Sequence, residues 1–262
     1  MPYQFITFLF VFFLVTYNTH ATTAKIIDDD LCLYGCPTGA PDSNFIVDHK
    51  IIILSSNRKT KFSDWVAYKV TPENINGGPV TRIWHKDPEI PPEYTLIPDD
   101  YKNENTICKY DRGHQAPIAD FKGTTWQVTD YLSNITPQKA DLNEGSWKQL
   151  ENKVRYLSKR YPVIYVVTGP YYTGEKMCIV PNPRINFIIP NGYWKIISVK
   201  DGDNIKTVAF SFQQETPKHA AYCQHHSSIS NIEKLSGLKF FMKNPSLKQN
   251  SLLKELGDRK ST

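Results

Sequence analysis

The chain has 262 residues, of which 40% are hydrophobic and 13% aromatic, and its formal net charge is +5. That composition excludes a disordered chain, and the length allows one large domain or two small ones with an ample core. The mild positive charge suits a polyanionic ligand without singling one out.

Residues 1–24 contain no Lys, Arg, Asp or Glu, and Phe5 to Val15 is an apolar run. Small and polar residues follow, with cleavage expected after Ala21 or Ala24. The run is short for a bilayer span. It therefore reads as a secretory signal peptide, although its n-region carries no charge beyond the amino terminus. This predicts a secreted, extracellular protein without stable membrane association. Residues 25–262 read as a single domain with a polar, loose tail from about residue 243. No internal repeat or low-complexity segment interrupts them.

Export makes disulfides plausible for the five cysteines. Cys32 and Cys36 flank a Leu-Tyr-Gly turn and are predicted to pair. Cys108, Cys178 and Cys223 cannot all pair within one chain.

Phe45 to Leu54 alternates and then runs apolar, which predicts a strand. After the polar turn Ser55 to Lys61, Asp64 to Val70 returns as its hairpin partner. The Arg58, Lys59 and Lys61 cluster reads as a solvated turn. From Thr71 to Lys102 six prolines argue against long helices, and Trp84, Tyr94 and Leu96 are its expected anchors. A helix is expected from about Asp141, with Asp141 and Glu144 at capping-box spacing. Trp147, Leu150, Val154 and Leu157 give it an apolar stripe. Val163 to Thr168 is a buried strand, expected to end at Gly169-Pro170. Tyr193 to Val199 and Thr207 to Phe212 form two more strands. Ser230 and Glu233 make a second capping box ahead of a helix around Ile232. Antiparallel hairpins with segregated helices make the fold class α+β.

The chemistry concentrates in Asp111-Arg112-Gly113-His114. A carboxylate, a fixed cation and a near-neutral base lie within four residues. Hydrolysis of a phosphodiester needs such a set: His takes a proton near pH 7, while Arg and Mg²⁺ offset developing charge. Gly113 is expected to let the backbone bend so that Arg112 and His114 reach one site. On an ideal helix Asn143 and Glu151 differ by ~80° around the axis and ~12 Å along it. One would ligate a metal directly and the other through water. Oxygen ligands with retained water suit Mg²⁺. A zinc site does not fit, since no spaced CxxC pair exists and His225 and His226 are adjacent. Read singly, Asn143 is a first-turn residue, Glu151 a solvated helix position and Arg82 a surface arginine.

Together these residues resemble the DNA/RNA non-specific endonucleases of the ββα-metal (His-Me finger) type, and their secreted bacterial members in particular. Tyr131 to Lys139, Val167 to Pro170 and Cys32-Leu-Tyr-Gly-Cys36 look much like the family's segments, and the likeness spans roughly residues 30–240. It implies a central, mainly antiparallel sheet flanked by helices. It implies His114 as general base, Asn143 as the one protein ligand of a hydrated Mg²⁺, and Glu151 as the acid holding metal-bound water. Mn²⁺ would be a substitute ion. Arg112, Asn134 and Arg82, the last 29 positions before Asp111, would surround the scissile phosphate, and Asp111 would be the motif's opening carboxylate. In the bacterial members the residue matching Cys223 pairs with a cysteine near the carboxyl terminus. This tail has none, which leaves Cys223 with Cys178 or Cys108, or free. The expected activity is Mg²⁺-dependent cleavage of DNA and RNA to 5′-phosphate ends, with a homodimer an open possibility. The alternative is a catalytically silent nucleic-acid-binding protein on the same fold. A mitochondrial nuclease conflicts with the uncharged leader.

Overall fold

A computed structural model describes residues 30–179, 182, 184–185, 188–241 and 251–256. The expected signal peptide lies outside this range. No helix among the described residues is long and apolar enough to cross a membrane.

The apolar stretch from Phe45 folds as two strands rather than one. β1 (Phe45–Asp48) covers its alternating part and β2 (Ile52–Ser56) its continuous part. Between them Lys50 adopts a left-handed φ of 71°, and its N–H donates to Asp48 Oδ1. An Asp side chain that accepts from the backbone two residues on stabilises such a turn without glycine. β3 (Ser63–Val70) completes the meander. In the proline-rich excursion, α1 (Pro72–Ile75) is a single turn. Leu96 is fully buried there, and Tyr94 and Trp84 pack against core clusters.

α2 (Glu104–Cys108) leads into β4 (Tyr110–His114), which pairs antiparallel with β5 (Ile135–Lys139) as a separate two-stranded ribbon. α3 (Ala140–Leu142) follows, then a wide turn over Asn143–Trp147, then α4 (Lys148–Leu157). The expected capping box does not form: Lys139 is the cap residue, and Glu144 pairs with Lys218. Gly145 has non-helical angles (φ −96°, ψ −116°), and a Cβ there would sit 2.4 Å from the carbonyl oxygen of Lys218. The glycine admits the passing backbone, and the helix opens around it. Trp147, Leu150, Val154 and Leu157 are all buried on the sheet. At ~1.5–3 kcal/mol per side chain they anchor α4.

β6 (Ile164–Tyr171), β7 (Gly192–Asp201), β8 (Asn204–Gln213) and β9 (His226–Ser227) finish a seven-stranded antiparallel sheet in the order β1-β2-β3-β6-β7-β8-β9. β6 runs through Gly169-Pro170 instead of ending there. Its ladder with β3 stops at Thr168, so Pro170 owes no N–H on that side. α5 (Ile229–Ser236) starts at Ser228, whose side chain accepts from the Asn231 N–H. Glu233 accepts instead from the Phe240 N–H. One core cluster joins the sheet to α4. A second, on the other face, holds Cys32, Cys36 and α5. A third lies under the ribbon. The tail is not all loose: Leu252 and Leu256 are buried in the first cluster, and Tyr161 donates to Glu255.

Cys32 and Cys36 are bonded, as expected. Cys108 pairs with Cys178 across 70 positions, and Cys223 is free. On the loop-entropy account the long bridge is worth about 4 kcal/mol. It also fixes α2 just ahead of the DRGH strand.

Candidate active site

The ribbon and α4 form one wall of a cleft of about 770 Å³, and the Arg82 segment forms another. Arg82, Asp111, Arg112, His114, Asn143 and Glu151 all line it. Gly113 has a different role from the one expected. It lies inside a regular strand, and an added Cβ would meet the Gln138 side chain at 2.5 Å. The missing side chain closes the ribbon; it does not bend it.

His114 has one side-chain anchor that the sequence did not disclose. Its Nε2 is 3.2 Å from Asp130 Oδ1. Asp130 is buried, and its Oδ2 accepts from the Ile83 N–H at 2.7 Å. One carboxylate thus ties the general-base candidate to the Arg82 segment. Burial lowers the His114 pKa below its ordinary value, Asp130 opposes that shift, and Arg82 adds to it. Trp84, expected only as an anchor, also lines the cleft. Its ring lies 5.2 Å from that of His114, with Arg112 at 5.5 Å and Arg82 at 5.7 Å. The two-residue spacing of Arg82 and Trp84 on an extended segment was the available signal. Arg58, by contrast, stacks on Phe45 and Tyr94 away from the cleft.

Asp111 holds Asn143. Asn143 Nδ2 donates to Asp111 Oδ2 at 2.9 Å, and Asn105 donates to Oδ1 at 2.9 Å. With Nδ2 donating to Asp111, Asn143 keeps Oδ1 as a candidate oxygen ligand. The open turn at Gly145 means that ideal-helix offsets do not apply, yet Glu151 still lines the same cleft. Burial raises the Glu151 carboxyl above the usual range, Lys195 pulls it back, and Asp120 raises it further. Among the described residues no group of three His, Cys, Asp or Glu is placed to hold a metal. An amide oxygen and one carboxylate instead fit a hard ion that keeps most of its water.

Asn134 is not where the phosphate role needs it. It is fully buried. Nδ2 donates to the carbonyls of Ala116 and Thr129, and Oδ1 accepts from the Ala116 N–H, each at 2.9 Å. All its strong bonds shape the loop behind His114, so none is left for a substrate. Asn134-Ile-Thr136 is the chain's one permitted glycosylation sequon. A glycan would replace one of the two amide hydrogens, and the two carbonyls use both. Intact mass before and after glycosidase should therefore be unchanged. A fully glycosylated, active protein would contradict this placement.

The sequence model of the DNA/RNA non-specific endonucleases matches residues 28–247. The chain belongs to this family. It is 43% identical over 222 residues to a nuclease of Serratia marcescens, covering 83% of this chain and 82% of that one. It is 28% identical to nuclease C1 of Cunninghamella echinulata, over 82% and 88% of the two chains. A mitochondrial nuclease of Saccharomyces cerevisiae is 29% identical, over 85% and 72%. Among solved structures, a chain of the EndoG/EndoGI inhibition complex superposes with a TM-score of 0.71 at 24% identity, over 82% and 92%. That likeness concerns the fold. The family is one of endonucleases, and the ribbon and α4 that line the cleft form its ββα arrangement.

Proposed function

We propose that this endonuclease is secreted, depends on Mg²⁺, and cuts DNA and RNA to 5′-phosphate ends. The observation that carries the reading is His114, half-buried and anchored by Asp130, in one cleft with two arginines, Asn143 and Glu151. An Nε2–H donated to Asp130 leaves Nδ1 unprotonated, ready to take the proton of an attacking water. Arg112 and Arg82 hold phosphoryl oxygens. Asn143 Oδ1 and Glu151 are the residues that would hold the ion. A bound Mg²⁺ supplies charge stabilisation for the phosphoryl and leaving oxygens. Mn²⁺ accepts the same hard ligands. The intact site favours catalysis over a silent binding protein.

Phosphate contacts carry no base information, which supports non-specific cutting. Affinity for duplex DNA should fall with salt at a log–log slope of about −0.9 per phosphate contact. A salt-insensitive affinity, or strong preference for one sequence, would argue against phosphate-led binding. Two disulfides and the uncharged apolar leader support an exported protein. The end chemistry is tested by labelling. Products with 5′-phosphates take label from polynucleotide kinase only after phosphatase treatment. Direct labelling would mean that the other P–O bond breaks.

A further inference from the structure

Glu104 opens α2 in the wall of the cleft. It is 2% exposed, and neither of its carboxyl oxygens has a hydrogen-bond partner. Arg112 lines the same wall. Its guanidinium donates to the Pro98 carbonyl at 2.9 Å and lies 5.4 Å from the Tyr101 ring and 5.5 Å from the Trp84 ring. Among the described residues Arg112 has no ion-pair partner, so its charge is available to a phosphate. A half-buried cation and a buried, unpartnered acid lining one cleft constrain each other. As a neutral acid, Glu104 leaves the guanidinium free. As an anion, it competes with the substrate for that guanidinium.

We propose that Glu104 is a positioning residue for Arg112 whose ionisation withdraws the guanidinium from substrate phosphate. The inference rests on the reading of Arg112 as a phosphate contact. The surroundings are accounted for on each side. β4 contributes Arg112 and Tyr110, the 3₁₀ turn Pro98–Tyr101 contributes Asp100 and Tyr101, and Arg184 is bound to Asp100. On α2 itself, Asn105 is committed to Asp111. Asp100, already paired, cannot relieve Glu104; its charge raises the cost of ionising it. Burial pushes the Glu104 carboxyl up to about 8, Arg112 opposes the shift and Asp100 adds to it. The acid is then neutral at neutral pH and charges in mild alkali.

The test is kcat/KM against pH for wild type and Glu104→Gln, each normalised to its own value at neutral pH. Gln keeps the shape of the neutral acid and cannot ionise. Wild type should lose about tenfold in alkali through KM, the weight of one charge-assisted hydrogen bond to phosphate. Glu104→Gln should stay flat. A carboxyl ¹³C NMR titration of wild type, with the resonance assigned by its loss in Glu104→Gln, should give the same midpoint as the activity limb. An alkaline limb that persists in Glu104→Gln overturns the proposal while leaving the nuclease reading intact. So does a Glu104 resonance that titrates in the ordinary carboxylate range. A folded wild type that never cleaves overturns both.

Discussion

His114→Ala should lose at least ~10²-fold in turnover while folding normally, because general-base catalysis is worth ~10²–10⁴-fold. The ring sits at the end of β4, where Asp130 anchors Nε2 and Trp84 packs nearby. Removing it leaves both arginines and the metal-site oxygens in place, so substrate should still bind. Only the neutral imidazole can accept a proton. Its pKa lies below the ordinary ~6.5, so activity should survive through that pH and fall only as pH drops through the lowered value. Asp130→Asn removes the influence that raises this pKa. Its acid limb should therefore move further down, alongside a slower rate from a poorly held ring. Wild-type turnover in folded His114→Ala, or an acid limb above the ordinary histidine range, would remove His114 from the reaction.

Asn143→Ala should raise the Mg²⁺ concentration for half-maximal activity at least tenfold and lower the maximum. Its amide oxygen is a neutral candidate ligand in the cleft, and its amide nitrogen is held by Asp111. Asp111→Ala should act in the same direction, since residues that orient a metal ligand are typically worth ~10–100-fold in metal affinity. Direct metal binding by calorimetry separates this from a catalytic defect. An unchanged Mg²⁺ titration in Asn143→Ala would place the ion elsewhere.

Much of the cleft was legible because its chemistry is local in sequence. Asp111, Arg112 and His114 share one strand, and Asn143 and Glu151 follow a few residues apart, on either side of the turn at Gly145. Apolar periodicity likewise marked the buried face of α4. What stayed hidden depends on distant partners. Asp130 is an ordinary carboxylate until folding sets it between His114 and the Ile83 N–H. Asn134 looks like a substrate residue until both faces of its amide meet the Ala116 backbone. Pro170 reads as a strand end unless the missing β3 neighbour is known. The turn at Lys50 needs a left-handed residue that no glycine announces. Gly113 and Gly145 were visible as glycines, but the groups that demand them, Gln138 and Lys218, come from other segments.

The most direct measurement is cleavage of supercoiled plasmid and of single-stranded RNA by the purified protein, with and without EDTA. Both substrates should be cut without sequence preference. EDTA should abolish the cutting, and excess Mg²⁺ should restore it. A folded protein that binds both nucleic acids and cuts neither in Mg²⁺, or one that cuts equally well in EDTA, would contradict the metal-assisted nuclease site described above.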